Sequence, residues 1–154
     1  MNETLQHQLN HRSIRKFKNT PLTDEQLDQV LSAASQTPTY TFLQAASIIG
    51  VTDKAKQKRL AEICKQSYVA EAGYLFVIVC DMNRNARIAA AQNIPADGMG
   101  RAERFFPTFY DATLMTMNMV TAAESMGLGC VILGSINNDV QAVSDLLELP
   151  DSTF

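Results

Sequence analysis

The segment 102–126 restricts the possible folds of this chain more than any other part of its sequence. Apolar residues fall around nearly the whole circumference of a helix formed by this segment, so little of its surface suits water. These residues are Phe105, Phe106, Phe109, Leu114, Met115, Met117, Met119, Val120, Ala122 and Ala123. Such a helix is buried either in the core of its own chain or against another chain. We predict a dimer-interface helix that ends before Gly127, with a central core helix in a monomer as the alternative.

The other segments alternate between helix and strand patterns, which predicts one domain over residues 1–154, built on a small sheet and of the α/β or α+β class. Helices are predicted over 3–10, 24–36, 54–65 and 83–92, with a last helix that begins at Asn137 or Asn138. Strands are predicted over 46–52, 74–80 and 129–134, and a loop over 93–100. Thr23 and Gln26 have the spacing of a capping box, which marks the start of the second helix.

Positive charge is concentrated in residues 11–18, called the basic segment below. Four of its eight residues are Lys or Arg, and the first 18 residues have a net charge of +3, against −6 for the rest of the chain. A compact group of cations favours one anion site over a nucleic-acid surface, which needs cations spread across a face. Arginine side chains and the hydroxyl of Ser13 suit a phosphate group. The alternative is a solvent-exposed basic turn that follows the first helix.

The chain has few residues of the types that act as nucleophiles or metal ligands, and this limits the kinds of functional site that it can form. The three cysteines, Cys64, Cys80 and Cys130, lie in apolar segments and are predicted to be reduced core thiols. Two histidines and the lack of zinc-type spacing argue against a metal site, and no dinucleotide, P-loop or nucleophile-elbow motif follows a strand. If the chain is an enzyme, we therefore expect a cofactor rather than a catalytic side chain to carry the reaction. We also expect no targeting segment, no membrane span and a cytoplasmic location.

Four blocks of the sequence resemble the nitroreductase family in order and spacing. They are HRSIRKF at 11–17 followed by TPL at 20–22, FLQ at 42–44 with SII at 47–49, AAESMGLG at 122–129, and NN at 137–138. The branch that they resemble most is that of NADPH-preferring, oxygen-insensitive nitroreductases and flavin reductases. The resemblance implies an α+β, nitroreductase-like fold with a small central sheet flanked by helices. It also implies a homodimer whose long helices pack together, with FMN bound at the subunit interface.

The resemblance further assigns positions that bind FMN. They are His11, Arg12, Ser13, Arg15, Thr39, Gln66, Ile132, Leu133, Gly134 and Ser135. Some donors of the basic segment would hold the phosphate. Another donor, by preference Arg15, would lie near the N1–O2 edge of the flavin. Residues 132–135 would pack their backbone on the ring. The division of these roles stays open. For Thr39 the alternative is a loop residue that stops a helix, and for Gln66 a solvent-facing helix end.

By this resemblance, the chain is an FMN-dependent oxidoreductase that uses NAD(P)H to reduce nitroaromatics, quinones or free flavins in a ping-pong cycle. Its partners would be a small-molecule electron acceptor and a second copy of itself, and neither nucleic acid nor a membrane. The loop 92–101 and Tyr40 are candidates for gating the substrate. The family continues past the length of this chain with another strand and with further Lys/Arg residues of the phosphate site, so we expect a chain that is short at its C-terminus. The alternative function is a flavin-binding domain with little or no turnover.

Overall fold

The computed structural model describes residues 2–95, 98 and 101–154, and of residue 102 the backbone only. The helices are α1 (Glu3–Leu9), α2 (Asp24–Ser35), α3 (Lys54–Cys64), α4 (Tyr68–Glu71), α5 (Asn83–Ala91), α6 (Ala102–Ser125) and α7 (Val140–Leu147). A 3-10 helix, Gly134–Asp139, leads directly into α7. The strands within the described residues are β1 (Ala46–Val51) and β2 (Leu75–Cys80). Helices around a small antiparallel sheet make this an α+β fold.

The sheet is formed by β1 and β2, which pair antiparallel from Ala46 opposite Cys80 to Val51 opposite Leu75. The last residues of the chain add to the other edge of β2. The backbone N–H of Cys80 donates to the carbonyl of Phe154 and the N–H of Phe154 donates back to Cys80, each over 3.0 Å. The backbone N–H and C=O groups of successive strand residues point to opposite edges of the strand. Those of Cys80 point away from β1, so Phe154 pairs on the side of β2 that β1 does not occupy.

Both faces of the sheet are covered by helices, which follows from the unbroken apolar run of β2. On one face, Val77 and Val79 pack in a buried cluster with Leu60 of α3 and Val143 of α7. On the other face, β-strand side chains such as Ile78 pack against a second cluster formed by α2 and α6, with Val30, Ala34 and Met119 at its centre. Alternate side chains of a strand point to opposite faces, so the same two strands serve both clusters.

The helix starts follow local sequence signals. The Thr23 hydroxyl accepts the N–H of Gln26 at 3.2 Å, and the Gln26 side chain accepts the N–H of Thr23 at 3.0 Å, which confirms the predicted capping box. The Asp53 carboxylate accepts the N–H groups of Ala55 and Lys56 at the start of α3. The predicted helices over 3–10, 24–36, 54–65, 83–92 and 102–126 and the strands over 46–52 and 74–80 agree with the structure to within one residue at each end.

Long helix α6 packs on α2 and the sheet along one face, and it also contacts α1. Asp111, Ala112, Met119 and Val120 are buried on that face. Six large side chains elsewhere on the helix are 38% to 57% exposed, namely Phe105, Phe106, Phe109, Tyr110, Leu114 and Met117. The alternative of a core helix buried within its own chain therefore does not describe α6. No helix in the described part of the chain is long and apolar enough to cross a bilayer.

Two predictions about the C-terminal third were wrong. Residues 129–134 do not form a strand, because they have no strand partner among the described residues. Cys130 instead accepts a backbone hydrogen bond from Ile14 of the basic segment. The last helix does not begin at Asn137 or Asn138, which both lie in the 3-10 helix. Asp139 caps α7 instead, and its carboxylate accepts the N–H of Ala142 at 3.0 Å.

Two further differences concern short segments. Helix α4 was not predicted from the sequence, and it is a single turn of four residues. Of the predicted loop over 93–100, which also includes most of the candidate gate 92–101, residues 96, 97, 99 and 100 lie outside the described residues. The three cysteines are free thiols; Cys64 and Cys80 are buried, whereas Cys130 is partly exposed.

Candidate functional site

The basic segment is held against the chain that follows α6. The backbone N–H of Ile14 donates to the carbonyl of Cys130 over 2.9 Å, although the two residues are far apart in sequence. Gly129 makes this approach possible, because a Cβ atom built at Gly129 would lie 2.8 Å from Cγ1 of Ile14. Residues 11–18 and 128–133 therefore form one surface.

His11 is tied to the C-terminal end of α6. Its Nδ1 atom lies 2.6 Å from Oε1 of Glu124, and the side chains are 41% and 15% exposed. An ionised carboxylate only accepts hydrogen bonds, so Nδ1 of His11 is the donor and Nε2 is the ring nitrogen left for another partner. Glu124 thus fixes both the ring orientation and the nitrogen that His11 presents outward.

Cys130 lies beside the same carboxylate, with Sγ 3.8 Å from Oε1 of Glu124. Burial raises the pKa of the Cys130 thiol to about 11, and the negative charge and hydrogen bond of Glu124 add to the rise. Burial also raises the pKa of Cys64 and Cys80, and at Cys64 the hydroxyl of Ser135 opposes that rise. All three thiols are therefore protonated at neutral pH, which makes them poor nucleophiles.

The cations of the basic segment have no counter-ions in the described part of the chain. Arg12, Arg15, Lys16 and Lys18 are exposed, and the ion pairs between described residues involve only His11, Lys56 and Arg59. The Ser13 hydroxyl is exposed beside them. Since surface charges that are not paired internally remain free to bind a ligand, this set of donors suits an anionic group such as a phosphate.

The predicted ring-contacting residues lie next to this surface, in the turn that enters the 3-10 helix. Ile132 is 59% exposed, whereas Leu133 packs against the buried cluster of α3 and α7. A Cβ atom at Gly134 would meet nothing within 4 Å, so the backbone there is open to a flat ligand. The buried Ser135 hydroxyl faces the Cys64 thiol but has no partner at hydrogen-bonding geometry among the described residues.

Gln66 is brought to the same region by the end of α3. The side chain of Asn138 in the 3-10 helix donates to the carbonyl of Ile63 over 3.2 Å, which holds the two helix ends together. Phe17 of the basic segment contacts Tyr68, two residues after Gln66, with ring centroids 6.3 Å apart. Gln66 is half-buried, so it is not a fully solvent-facing helix end.

Thr39 is the exception, because the residue after it is held near the middle of α6 and not at its C-terminal end. The N–H of Tyr40, the next residue, donates to Asp111, which is thirteen residues before Glu124 on the helix. At 1.5 Å per residue, this separation is roughly 20 Å. Within one chain, the structure therefore brings the predicted residues of the basic segment, Gln66 and residues 132–135 together and does not bring Thr39 to them.

Sequence reasoning gave no role to Glu124 or Asp111, the two carboxylates that hold the predicted site residues. A signal was available, since these two are the only charged residues of the α6 sequence beyond its first turn. An acidic side chain at such a position needs hydrogen-bond donors from elsewhere in the fold, which marks it as a residue that organises its neighbours.

Comparisons with known proteins agree along almost the whole chain. A model of the nitroreductase family matches residues 9–154. The NADPH-dependent oxidoreductases of Staphylococcus epidermidis and Staphylococcus aureus are 44% and 41% identical over 94% of this chain. The chain spans 58% of the length of each of these curated relatives.

Solved structures give the same result. NfrA1 nitroreductase from B. subtilis has a TM-score of 0.96 at 36% identity, with 99% of this chain and 62% of that chain covered. NADPH:FMN oxidoreductase from Vibrio harveyi, complexed with NAD+, has a TM-score of 0.91 at 37% identity, with 99% and 64% covered.

Proposed function

Because this chain belongs to the nitroreductase family and has its α+β fold, we propose that it binds FMN on the surface formed by the basic segment and residues 132–135. With FMN it acts as an NAD(P)H-dependent oxidoreductase on a small-molecule electron acceptor, of the nitroaromatic, quinone or free-flavin class. The relatives' names support this direction, as two are NADPH-dependent oxidoreductases and one is an NADPH:FMN oxidoreductase.

The observation that carries the proposal is the unpaired cation set beside an open glycine backbone. An FMN phosphate needs several donors with no internal counter-ion, and the exposed side chains of Arg12, Ser13 and Arg15 meet that need. A flat ring needs a surface without a projecting side chain, and Gly134 offers one. The hydrogen bond between Ile14 and Cys130 keeps these two features adjacent.

When bound, FMN supplies the hydride chemistry, accepting from NAD(P)H and delivering to the acceptor. The residues of this chain bind and orient the cofactor. The basic segment holds the phosphate and offers positive charge near the ring, His11 presents Nε2 under the control of Glu124, and the turn at 132–135 supports the ring. No side chain is required to transfer a proton in the hydride step, so the protein acts through position and charge.

A homodimer completes the proposal. The exposed apolar face of α6 suits a second copy of the same helix. Side chains such as Phe109 and Leu114 form a large apolar patch there, and its exposure to water is unfavourable. In such a pair, Thr39 would approach the basic segment of the other subunit, which accounts for its distance from that segment within one chain. The site is then shared between two subunits.

The test is a visible spectrum of the purified chain with FMN, followed by addition of NADPH without oxygen. Bound flavin that NADPH bleaches faster than it bleaches free FMN supports the oxidoreductase. Bound flavin that bleaches no faster supports the alternative of a flavin-binding domain without turnover. Protein that stays colourless after soaking in FMN contradicts both.

A further inference from the structure

Asp111 of α6 holds a distant loop with both of its carboxylate oxygens. The residue is 3% exposed. Its Oδ1 accepts the N–H of Tyr40 at 2.8 Å, and its Oδ2 accepts the N–H of Ala45 at 3.1 Å. The two contacts close residues 40–45 into a loop anchored at both ends on one side chain. Among the described residues no cation pairs with Asp111, so these N–H groups are what compensates its burial.

The loop between the two anchors has an unfavourable backbone. Phe42 and Gln44 have φ angles of 58° and 49°, in the left-handed region that residues with a Cβ rarely adopt. Such residues persist only where surrounding contacts determine them, and they cluster at functional sites. Two further hydrogen bonds involve the described loop. The N–H of Phe42 donates to the Thr39 hydroxyl over 3.1 Å, and the side chain of Asn85 on α5 donates to the carbonyl of Leu43 over 3.1 Å.

Burial of the two loop rings does not set this conformation, because both rings face outward. Tyr40 is 62% exposed and Phe42 is 82% exposed. The Tyr40 ring instead contacts Tyr110, the neighbour of Asp111, with ring centroids 5.4 Å apart. One turn of α6 therefore holds both backbone ends of the loop and one of its rings, while Asn85 of α5 holds its middle.

We propose that Asp111 is a positioning residue for the flavin site, where it sets the place of the Thr39 hydroxyl and of Tyr40. It touches neither cofactor nor substrate and acts through the two backbone N–H groups. The role rests on the proposed function, because Thr39 matters only if it reaches the flavin of a second subunit. The loop geometry itself can be tested without flavin.

The first test is amide hydrogen exchange on the cofactor-free chain with Asp111→Asn. Asparagine has nearly the same shape but one acceptor oxygen, so one of the two N–H groups loses its partner. We expect the amide of Tyr40 or Ala45 to exchange at least about tenfold faster, the size that loss of one buried hydrogen bond implies. Amides of the β1–β2 ladder keep their rates. Unchanged protection of both Tyr40 and Ala45 would overturn the proposal.

The second test is FMN affinity, measured by quenching of flavin fluorescence. Val143→Ala is the matched control, because Val143 is buried in the cluster of α3 and α7 and the change lowers the melting temperature without touching the loop. We expect Asp111→Asn to raise the Kd for FMN about tenfold and Val143→Ala to leave it within about twofold.

The outcomes separate the two proposals. Equal weakening by both variants overturns the positioning role, because a general loss of stability then explains the effect. A wild-type chain that binds no FMN overturns the proposed function, while the exchange rates still decide whether Asp111 holds the loop. Tyr110→Leu, which removes the ring contact and keeps both hydrogen bonds, should leave the amides of Tyr40 and Ala45 protected.

Discussion

The Nδ1 atom of His11 lies 2.6 Å from Oε1 of Glu124, and this contact joins the basic segment to the C-terminal end of α6. The partner residues are 113 positions apart, so the contact exists only in the folded chain. Glu124 is 15% exposed and also lies 3.8 Å from the Cys130 thiol. One carboxylate thus organises a residue of the basic segment and a residue after α6.

Glu124→Gln should weaken FMN binding, because an amide can donate as well as accept and therefore no longer fixes which nitrogen of His11 carries the proton. We expect the Kd for FMN to rise about three- to tenfold, the range for loss of one charge-assisted hydrogen bond. Flavin fluorescence quenching measures it. Glu62→Gln is the control, since Glu62 pairs with Arg59 on the exposed side of α3. Equal affinities for Glu124→Gln and wild type would contradict the role of Glu124.

The same substitution should make Cys130 more reactive. Burial and Glu124 together raise the pKa of the thiol to about 11, so at pH 8 about one molecule in a thousand carries the thiolate. Removing the negative charge of Glu124 lowers that pKa, because the thiolate no longer lies beside a like charge. We expect alkylation of Cys130 by iodoacetamide at pH 8 to become about three- to tenfold faster, measured by peptide mass spectrometry. Cys64 and Cys80 serve as internal controls, because they are buried and do not contact Glu124.

The raised pKa of Cys130 also predicts how stability depends on pH. The folded thiol ionises near pH 11 and the unfolded thiol near its ordinary value of 9.0, so the folded state holds the proton over that interval. Its contribution to stability is complete below pH 9 and is lost as pH rises towards 11. Urea denaturation of wild type and Cys130→Ser across this range measures the effect. The decline should be shallower in Cys130→Ser, and parallel curves would contradict the shift.

Local signals in the sequence were enough for most of the fold and for the location of the site. The Thr23–Gln26 capping box and the periodic apolar residues predicted α2 because both act within a few residues. The strand predicted at 129–134 failed because a strand requires a partner, and apolar character alone does not supply one. Within residues 128–133, the carbonyl of Cys130 instead accepts a hydrogen bond from the backbone N–H of Ile14.

Contacts between distant residues could not be predicted in the same way. No periodicity relates Glu124 to His11 or Asp111 to Tyr40, since each pair meets only when α6 packs against its neighbours. The family resemblance implied that Thr39 and the basic segment bind the same flavin. Only the structure shows how far apart they lie along α6. The roles of single site residues remain predictions, which the substitutions here address.

Two glycines of the candidate site should respond differently to alanine. A Cβ at Gly129 would lie 2.8 Å from Ile14, so Gly129→Ala pushes the basic segment away and destabilises the fold by about 1–3 kcal/mol. A Cβ at Gly134 meets nothing within 4 Å, so Gly134→Ala should change the free energy of unfolding by less than about 0.5 kcal/mol. Urea denaturation measures both.

FMN affinity then separates packing from ligand contact. We expect Gly134→Ala to raise the Kd for FMN by about tenfold, because the new methyl group occupies the surface where the ring would rest. Wild-type affinity in Gly134→Ala would mean that the ring does not approach this turn.

The exposed face of α6 should hold two subunits together. Phe109 is 50% exposed, and at a dimer interface Phe109→Asp would bury an unpaired carboxylate in place of a ring. We expect the dissociation constant of the dimer to rise at least about a hundredfold, measured by sedimentation velocity over a range of concentrations. The melting temperature of the monomer should change little, because the side chain does not belong to either buried cluster.

Ile88→Asp is the matched control for this prediction. Ile88 is 51% exposed on α5, so the substitution introduces the same charge at a similarly exposed apolar residue away from α6. It should leave the dimer intact, whereas Phe109→Asp yields monomers. Because the proposed flavin site is shared, Phe109→Asp should also weaken FMN binding at concentrations where wild type is dimeric. If the wild-type chain is monomeric and Phe109→Asp binds FMN as tightly as wild type does, the shared site is refuted. Thr39 then has no role in it.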